Sequence, residues 1–197
     1  MKRVYFALLI NDMQNDFVLS DGSDPVTGAC ETIPVIDKLL ALARHEQLAV
    51  FHLVREYRSD GSDVEITRLP GFVQGHRYAV PGTYGCEIIQ ELTPLPGEYR
   101  IVRNRFSGFM QTELDFVLRR LGVEQLILCG TQYPNCVRST AFDAICLDYK
   151  VTVITDATSG ANQAVIDANI ADMRNIGIVC ETLEQFTVRL GMSAVPV

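Results

Sequence analysis

Three side chains with complementary chemistry each lie at or just beyond the end of an apolar segment. Asp12 follows the first such segment, Arg103 ends another, and Cys136 comes shortly after a third. A cysteine attacks as its thiolate, and its unperturbed pKa is about 8.5. A guanidinium and a helix N-terminus would lower the pKa of Cys136, and a carboxylate would accept the thiol proton. This trio indicates nucleophilic attack on a carbonyl carbon through a covalent intermediate.

Each of the three residues is also compatible with a structural role when it is taken alone. An aspartate after a strand often caps a turn, and an arginine at a strand end often forms a surface ion pair. A free cysteine is often a small buried apolar residue. The chemical interpretation therefore depends on whether the fold brings the three side chains together.

Apolar segments alternate with amphipathic helical segments along the chain. The predicted strands are Val4–Ile10, Ala49–Val54, Arg100–Arg103, Gln125–Cys129, Val151–Ile154 and Ile178–Cys180. The predicted helices are Thr32–Glu46, Thr112–Leu121, Cys136–Leu147, Ala164–Ile176 and Thr182–Leu190. This alternation predicts an α/β fold, a three-layer αβα sandwich around a mostly parallel six-stranded sheet with Rossmann-like topology.

Ligands of such sheets bind beyond the carboxyl ends of the strands, where Asp12, Arg103 and Cys136 are expected. The turn Gly130–Asn135 would direct backbone N–H groups at an oxyanion there. Between the second and third strands, Arg55–Glu98 is rich in glycine and proline. It predicts a long excursion with one short helix around Cys86–Leu92, and long loops in compact domains are usually functional.

Composition narrows the class of protein. The 197 residues predict a single domain over 1–197, and the net charge of -7 argues against a nucleic-acid partner. No apolar stretch has the roughly 18 residues of a membrane span. The run after Lys2 and Arg3 ends at Asn11 and Asp12 without a cleavage site, which predicts a cytoplasmic protein with its six cysteines reduced.

Several segments together resemble the isochorismatase-like cysteine hydrolases, a superfamily that includes nicotinamidases and N-carbamoyl amide hydrolases. Asp12–Phe17 is similar to the opening motif of that superfamily, and Arg105–Phe109 (R-F-S-G-F) is similar to its central element. Gly130–Thr140 resembles the nucleophile motif, and Asp156-Ala157 after the fifth strand also fits. The resemblance extends over essentially the whole chain and implies the isochorismatase-like fold.

The resemblance implies Asp12 as the general base and Cys136 as the nucleophile. It also implies a non-proline cis peptide bond at Thr131–Gln132, with the N–H groups of Gln132 and Cys136 facing an oxyanion. The family usually has lysine where this sequence has Arg103. Arginine keeps the positive charge, prefers two-point pairing with a carboxylate, and does not lose its proton.

Four further residues are predicted to contact a small-molecule substrate: Phe17, Arg55, Gln132 and Tyr133. Arg55 would suit a substrate carboxylate. The open alternative is that Arg55, Glu56 and the charges of 60–65 belong to a solvated loop.

Nicotinamidases of this superfamily typically carry a metal-binding D-x-H after the second strand. Here that region reads Arg55-Glu56-Tyr57, and the chain has only three histidines, His45, His52 and His76. The first two fall inside predicted elements, and one histidine alone does not form a zinc site. We therefore expect no catalytic metal and no cofactor, and nicotinamide becomes an unfavoured substrate.

The main hypothesis that follows from the resemblance is hydrolysis of a C–N bond in a small amide or ureido compound. The reaction would proceed through an acyl-enzyme on Cys136. One alternative is a catalytically silent protein, impaired by Arg103, that binds a small ligand or a protein partner. Another is the vinyl ether hydrolysis of isochorismatase, which the family generally performs without the cysteine. The resemblance also implies a homo-oligomer, either a dimer or a tetramer.

Overall fold

A parallel six-stranded sheet forms the centre of the computed structural model, which describes residues 5–191. The strands are β1 (Tyr5–Asn11), β2 (Ala49–Arg55), β3 (Tyr99–Arg103), β4 (Val123–Gly130), β5 (Lys150–Thr158) and β6 (Val179–Glu181). Their order is β3-β2-β1-β4-β5-β6, with every neighbouring pair parallel. The predicted α/β fold is confirmed. Val4, the first residue of the predicted first strand, lies outside the described residues.

Helices cover both faces of the sheet. They are α1 (Asn15–Val18), α2 (Ala29–His45), α3 (Leu69–Val73), α4 (Leu114–Arg120), α5 (Arg138–Cys146), α6 (Gln163–Asn175) and α7 (Leu183–Leu190). Apolar residues of α4, α5 and α6 pack with one face of the strands, and those of α2 and α7 pack with the other. Strands that are covered on both faces are expected to be continuous apolar runs, as β1 is. Within residues 5–191, no helix has the length and apolar character needed to cross a bilayer.

Three helices begin two or three residues away from their predicted starts, and the one expected from Thr112 begins at Leu114. The helix expected from Thr32 begins at Ala29, and the Thr32 hydroxyl donates to the Ala29 carbonyl inside the helix instead of capping it. The helix expected from Cys136 begins at Arg138. Before it, Tyr133–Val137 forms a π-helical turn in which the Val137 N–H donates to the Gln132 carbonyl, five residues back. Cys136 therefore lies within an irregular turn, ahead of the α-helix.

The excursion between β2 and β3, residues 56–98, contains three short helical pieces where one was predicted. These are α3 and two 3₁₀ turns, Tyr84–Cys86 and Gln90–Leu92. Edge-to-face contacts join Phe17 of α1 to Tyr78, and Tyr78 to Tyr57 and Phe72. This aromatic cluster gives the excursion a small apolar core of its own, next to the carboxyl ends of the strands.

The end of β4 approaches the end of β1 so closely that a side chain does not fit at Gly130. A Cβ at this position would lie 2.3 Å from the Asn11 carbonyl oxygen, and φ of Gly130 is +101°. The Thr131 N–H donates to the same carbonyl at 2.9 Å. This contact fixes the segment that leads to Cys136 against the segment that leads to Asp12.

We predict that Gly130→Ala destabilises the fold more than Gly177→Ala does. Gly177 also has a positive φ, +90°, but a Cβ there would meet nothing within 4 Å. The left-handed conformation alone costs a β-carbon roughly 1–2 kcal/mol. The backbone clash should add about 2 kcal/mol or more at Gly130. Urea unfolding followed by circular dichroism measures both free energies, and equal losses would contradict the proposed close contact.

Candidate active site

Four neighbouring strands deliver charged or nucleophilic side chains to one end of the sheet. Asp12 follows β1, Arg55 ends β2, Arg103 ends β3 and Cys136 follows β4. β2 lies between β3 and β1 in the sheet, so Arg103 and Asp12 come from strands that are not direct neighbours. Arg55 thus enters the site between the predicted catalytic residues, as the strand order requires.

Asp12 and Arg103 form a buried ion pair. Arg103 Nη2 lies 2.5 Å from Asp12 Oδ2, and the two side chains are 0% and 4% exposed. Arg103 Nη1 donates to the Arg105 carbonyl, which orients the guanidinium. Asp12 Oδ1 is buried and has no hydrogen-bond partner among residues 5–191. This oxygen therefore remains available to accept a proton.

The backbone at Asp12 is held in an uncommon conformation. Its φ is +46°, in the left-handed region that side-chain-bearing residues rarely adopt. The Asp12 N–H donates to the Leu53 carbonyl of β2 at 2.9 Å, which helps to fix this conformation. Strained backbone of this kind is concentrated at functional sites.

Cys136 is buried beside both arginines and the aspartate. Its Sγ lies 3.4 Å from Arg55 Nη2, and its side chain is almost inaccessible. Burial raises the pKa of the Cys136 thiol, Arg103 and Arg55 oppose that rise, and Asp12 adds to it, so that the pKa lies above its ordinary value. The expected lowering of this pKa is therefore wrong, because burial and Asp12 outweigh the two guanidinium groups. This direction favours the neutral thiol over the thiolate in the resting site.

Arg55 belongs to a buried network and not to a solvated loop. Its Nη1 donates to Glu65 and to the Tyr57 hydroxyl, which in turn donates to Glu65. Its Nη2 reaches the Arg105 carbonyl at 3.3 Å as well as Cys136. Burial would raise the pKa of Glu65, but Arg55 and Tyr57 together lower it, so Glu65 is a carboxylate. The Arg55 charge is already paired before any substrate arrives.

The pocket above Cys136 is small, with about 290 Å³ of space including its open mouth. Predicted site residues that line it are Asp12, Phe17, Arg55, Gln132 and Cys136. Five further residues line the pocket and were not predicted as substrate contacts: Asp24, Val26, Arg68, Thr131 and Asn135. Thr131 and Asn135 lie within the nucleophile motif Gly130–Thr140, and that position could have selected them from the sequence. Arg68 and Asp24 lie in irregular segments and follow no pattern that would have selected them.

Tyr133 lies away from the pocket, in contrast to its predicted contact with substrate. Its side chain is fully buried in the apolar core beneath α5 and α6, and its hydroxyl lies 3.4 Å from the Thr155 carbonyl. Its backbone N–H donates to the Ser159 carbonyl at 2.9 Å. Tyr133 therefore anchors the turn before Cys136, because its side chain is packed in the core and its backbone N–H is bonded to Ser159.

The peptide bond between Thr131 and Gln132 is cis, as the sequence analysis predicted. Gln132 lines the pocket next to Cys136. Its backbone N–H donates to no acceptor in the part of the chain that the structure describes. A free N–H beside a nucleophile is the kind of donor that stabilises an oxyanion.

The three histidines are distributed away from one another. His45 is exposed near the end of α2, and His52 in β2 lies 2.9 Å from Glu98 Oε2. His76 contacts the Ser23 carbonyl at the edge of the excursion. Across residues 5–191, no group of three or more His, Cys, Asp or Glu side chains is arranged to hold a metal ion. The absence of a catalytic metal stays a prediction.

The fold and this site define an α/β protein with a cysteine, an aspartate and an arginine at the carboxyl ends of its strands. The isochorismatase domain model matches residues 6–185, so the chain belongs to the isochorismatase family. An isochorismatase family protein from Desulfovibrio vulgaris has a similar solved structure, with a TM-score of 0.92 and 50% identity. The match covers 95% of this chain and 99% of that one.

Two curated relatives differ in what their names say about activity. A probable inactive nicotinamidase of Arabidopsis thaliana is 40% identical over 93% of this chain and 95% of its own length. A ureidoacrylate amidohydrolase, RutB, of Caulobacter vibrioides is 30% identical over 79% of this chain and 77% of its own length. Both relatives cover most of this chain, and only one of the two names implies an active enzyme.

We predict that Asp12→Asn lowers the pKa of the Cys136 thiol. Removing the Asp12 charge eliminates a contribution that raises this pKa and leaves Arg103 and Arg55 to favour the thiolate. Cys30 and Cys146 are exposed, so both are first replaced by serine. The pH dependence of alkylation by iodoacetamide then reports on Cys136.

The expected result is a lower pH midpoint and faster alkylation at pH 7 in Asp12→Asn. Asp21→Asn, which removes an exposed carboxylate, is the matched control and should leave the midpoint unchanged. A midpoint that rises in Asp12→Asn would show that the aspartate stabilises the thiolate and would contradict this electrostatic assignment.

Proposed function

We propose that this chain hydrolyses a C–N bond in a small amide or ureido compound, with Cys136 as the nucleophile. The observation that carries the proposal is the arrangement of Cys136 beside Asp12, whose Oδ1 is buried and unpaired within residues 5–191. A general base must lie within reach of the proton that it removes. A neutral thiol must lose its proton before it attacks, and the raised pKa of Cys136 means that a base is needed to remove it.

In the first half of the reaction, Cys136 Sγ attacks the carbonyl carbon while its proton passes to Asp12 Oδ1. The carbonyl oxygen becomes an oxyanion in a tetrahedral intermediate. Asp12 then returns the proton to the leaving nitrogen, the C–N bond breaks, and ammonia or an amine departs. A thioester on Cys136 remains.

In the second half, water attacks the thioester carbonyl as Asp12 removes a proton from it. The new tetrahedral intermediate collapses, the C–S bond breaks, and the sulfur regains a proton from Asp12. The acid product leaves, and the site returns to its starting protonation. Each proton that Asp12 accepts is returned within the same half-reaction, so the cycle needs no cofactor.

The two arginines have electrostatic roles in this scheme. As the proton leaves Sγ, negative charge develops on sulfur beside Arg55 Nη2, 3.4 Å away. Arg103 pairs with Asp12 and counteracts the rise of the thiol pKa. Neither guanidinium transfers a proton, because arginine stays charged in proteins. The Gln132 N–H is the proposed donor to the oxyanion.

The relatives support this reaction class without fixing the substrate. RutB is named a ureidoacrylate amidohydrolase, and its substrate is a ureido compound with a C–N bond to cleave. The pocket beside Cys136 is small, which restricts the proposal to small molecules. Phe17 and Gln132 are the predicted substrate contacts that line this pocket, and Tyr133 is not included.

A second candidate function is binding without turnover. The Arabidopsis relative is named a probable inactive nicotinamidase, and Arg103 occupies the position where the family usually has lysine. In this view the buried Asp12–Arg103 pair holds the site in a form that binds a ligand without turnover. The two candidates predict opposite responses to Arg103→Lys.

The test is a screen of small amides, carbamoyl compounds and ureido acids, read as ammonia release. We predict that Cys136→Ala lowers kcat by about four orders of magnitude or more on any substrate found, since the nucleophile is lost. Cys146→Ala, at an exposed position, is the matched control and should retain full activity. Circular dichroism verifies that both variants fold. Ammonia release that survives in Cys136→Ala would contradict nucleophilic catalysis by this cysteine.

We further predict that Arg103→Lys lowers kcat. Arg103 contacts both Asp12 and the Arg105 carbonyl through separate nitrogens, and one ammonium group does not reproduce this fork. The same ammonia assay measures the change. A wild-type protein without activity and an active Arg103→Lys variant would favour the silent candidate.

Three predictions about the whole protein stay open beside this proposal. They are a single domain over 1–197, a cytoplasmic location, and assembly into dimers or tetramers. Analytical ultracentrifugation tests the last of these. A monomer at micromolar concentration would contradict it.

A further inference from the structure

One cation in the pocket has no acidic partner. Arg68 lies in the excursion, is half-buried, and lines the same pocket as Cys136. Its guanidinium carbon lies 5.0 Å from the centroid of the Phe106 ring. Among residues 5–191, no carboxylate lies within ion-pairing distance of Arg68. Its charge therefore lines the pocket without an ion-pair partner, since Glu65, which favours that charge from farther away, is already paired with Arg55.

The other cations of the site are already paired. Arg103 is paired with Asp12, and Arg55 is paired with Glu65. The Arg55 guanidinium carbon also lies 5.3 Å from the Phe106 centroid. Two guanidinium groups thus share one aromatic ring, but only one of them has a carboxylate. An anion placed at Arg68 would offset the repulsion between them.

The remaining charged group in the pocket lining is Asp24. Its Oδ1 lies 3.7 Å from His76 Nε2, and its side chain is 36% exposed. Asp24 lies more than 4.0 Å from Arg68, since they form no ion pair. It would repel an anionic ligand weakly and from an exposed position, where water screens its charge.

We propose that Arg68 binds a carboxylate of the substrate, so that the substrate is a small amide acid or ureido acid. This inference rests on the proposed function and deepens it. Arginine presents a planar pair of N–H donors that matches the two oxygens of a carboxylate. The Phe106 ring supports the guanidinium plane from below. Arg68 is a binding residue that holds the substrate carboxylate and takes no part in the bond-making steps.

The sequence alone predicts this role for Arg55. The structure instead fills the Arg55 donors with Glu65, Tyr57, the Arg105 carbonyl and Cys136. Arg68 has no such hydrogen bonds from its side chain within the described chain. Two arginines of the same pocket therefore have different roles, one toward the sulfur and one toward the ligand.

The test compares acids with neutral analogues that keep the same scissile group. The probes are succinamic acid and N-carbamoylglycine, each paired with its methyl ester, and the readout is ammonia release. We predict that Arg68→Met raises KM for the acids by about 10- to 100-fold and changes kcat by less than about threefold. KM for the esters should not change. Arg68→Lys should restore part of the affinity for the acids, because it keeps the charge.

Matched variants separate this effect from a general loss of positive charge. Arg120→Met removes an exposed arginine at the end of α4 and should leave KM for the acids unchanged. Asp24→Asn should lower KM for the acids slightly, because it removes a like charge from the pocket. An equal rise of KM for acids and esters in Arg68→Met would overturn the proposal and indicate a structural role.

Calorimetry keeps this test independent of turnover. If no variant releases ammonia, the proposed function fails, and binding of the same acids and esters to the wild type and to Arg68→Met is measured instead. The carboxylate site would still be supported if the wild type binds the acids more tightly than the esters and Arg68→Met does not. Equal binding of acid and ester, or no binding of either acid, would overturn it.

Discussion

The structure at this site depends on one buried ion pair, between Asp12 and Arg103. The two residues are 91 positions apart in sequence, and both are almost inaccessible to water. Burying two charges costs several kcal/mol per ion, which the pair recovers only with good geometry and additional hydrogen bonds. The Arg105 carbonyl provides one such hydrogen bond, but Asp12 Oδ1 and Arg103 Nε have no partner within residues 5–191. A pair with unsatisfied atoms is a weak source of stability, and its cost is best explained by the chemistry that it permits.

The need to pair buried charges also applies to Arg55, which connects the sheet with the excursion. The sheet order places β2 between β1 and β3, so Arg55 necessarily enters the site beside the pair. A third buried charge needs its own partner, and Glu65 supplies it from the excursion. The excursion must therefore fold against the strand ends, and its aromatic cluster of Phe17, Tyr57, Phe72 and Tyr78 is what packs there. The two ion pairs, Asp12–Arg103 and Arg55–Glu65, thus connect the strand ends with the excursion that covers them.

The sequence predicts the regular part of this molecule well and the irregular part poorly. Continuous apolar runs such as β1 identify doubly covered strands, and residues after those strands identify the end of the sheet where Asp12 and Cys136 meet. The roles of Arg55 and Arg68 depend on where residues 56–98 fold, and no periodic pattern in that segment indicates it. Tyr133 shows the same limit within a recognised motif, because the direction of its side chain follows from a π-helical turn. The raised pKa of Cys136 depends on burial, which a list of neighbouring charges does not include.

The central claim is that Cys136 carries the acyl group during turnover, with Asp12 moving the protons. Acid-quenched mixtures of the wild-type protein and a substrate, analysed by intact mass spectrometry and peptide mapping, test it most directly. We predict a mass increase equal to the acyl group minus one hydrogen, located on the peptide that contains Cys136 and lost as the substrate is exhausted. Ammonia release with no adduct at any quench time, or with an adduct on another residue, would contradict the account.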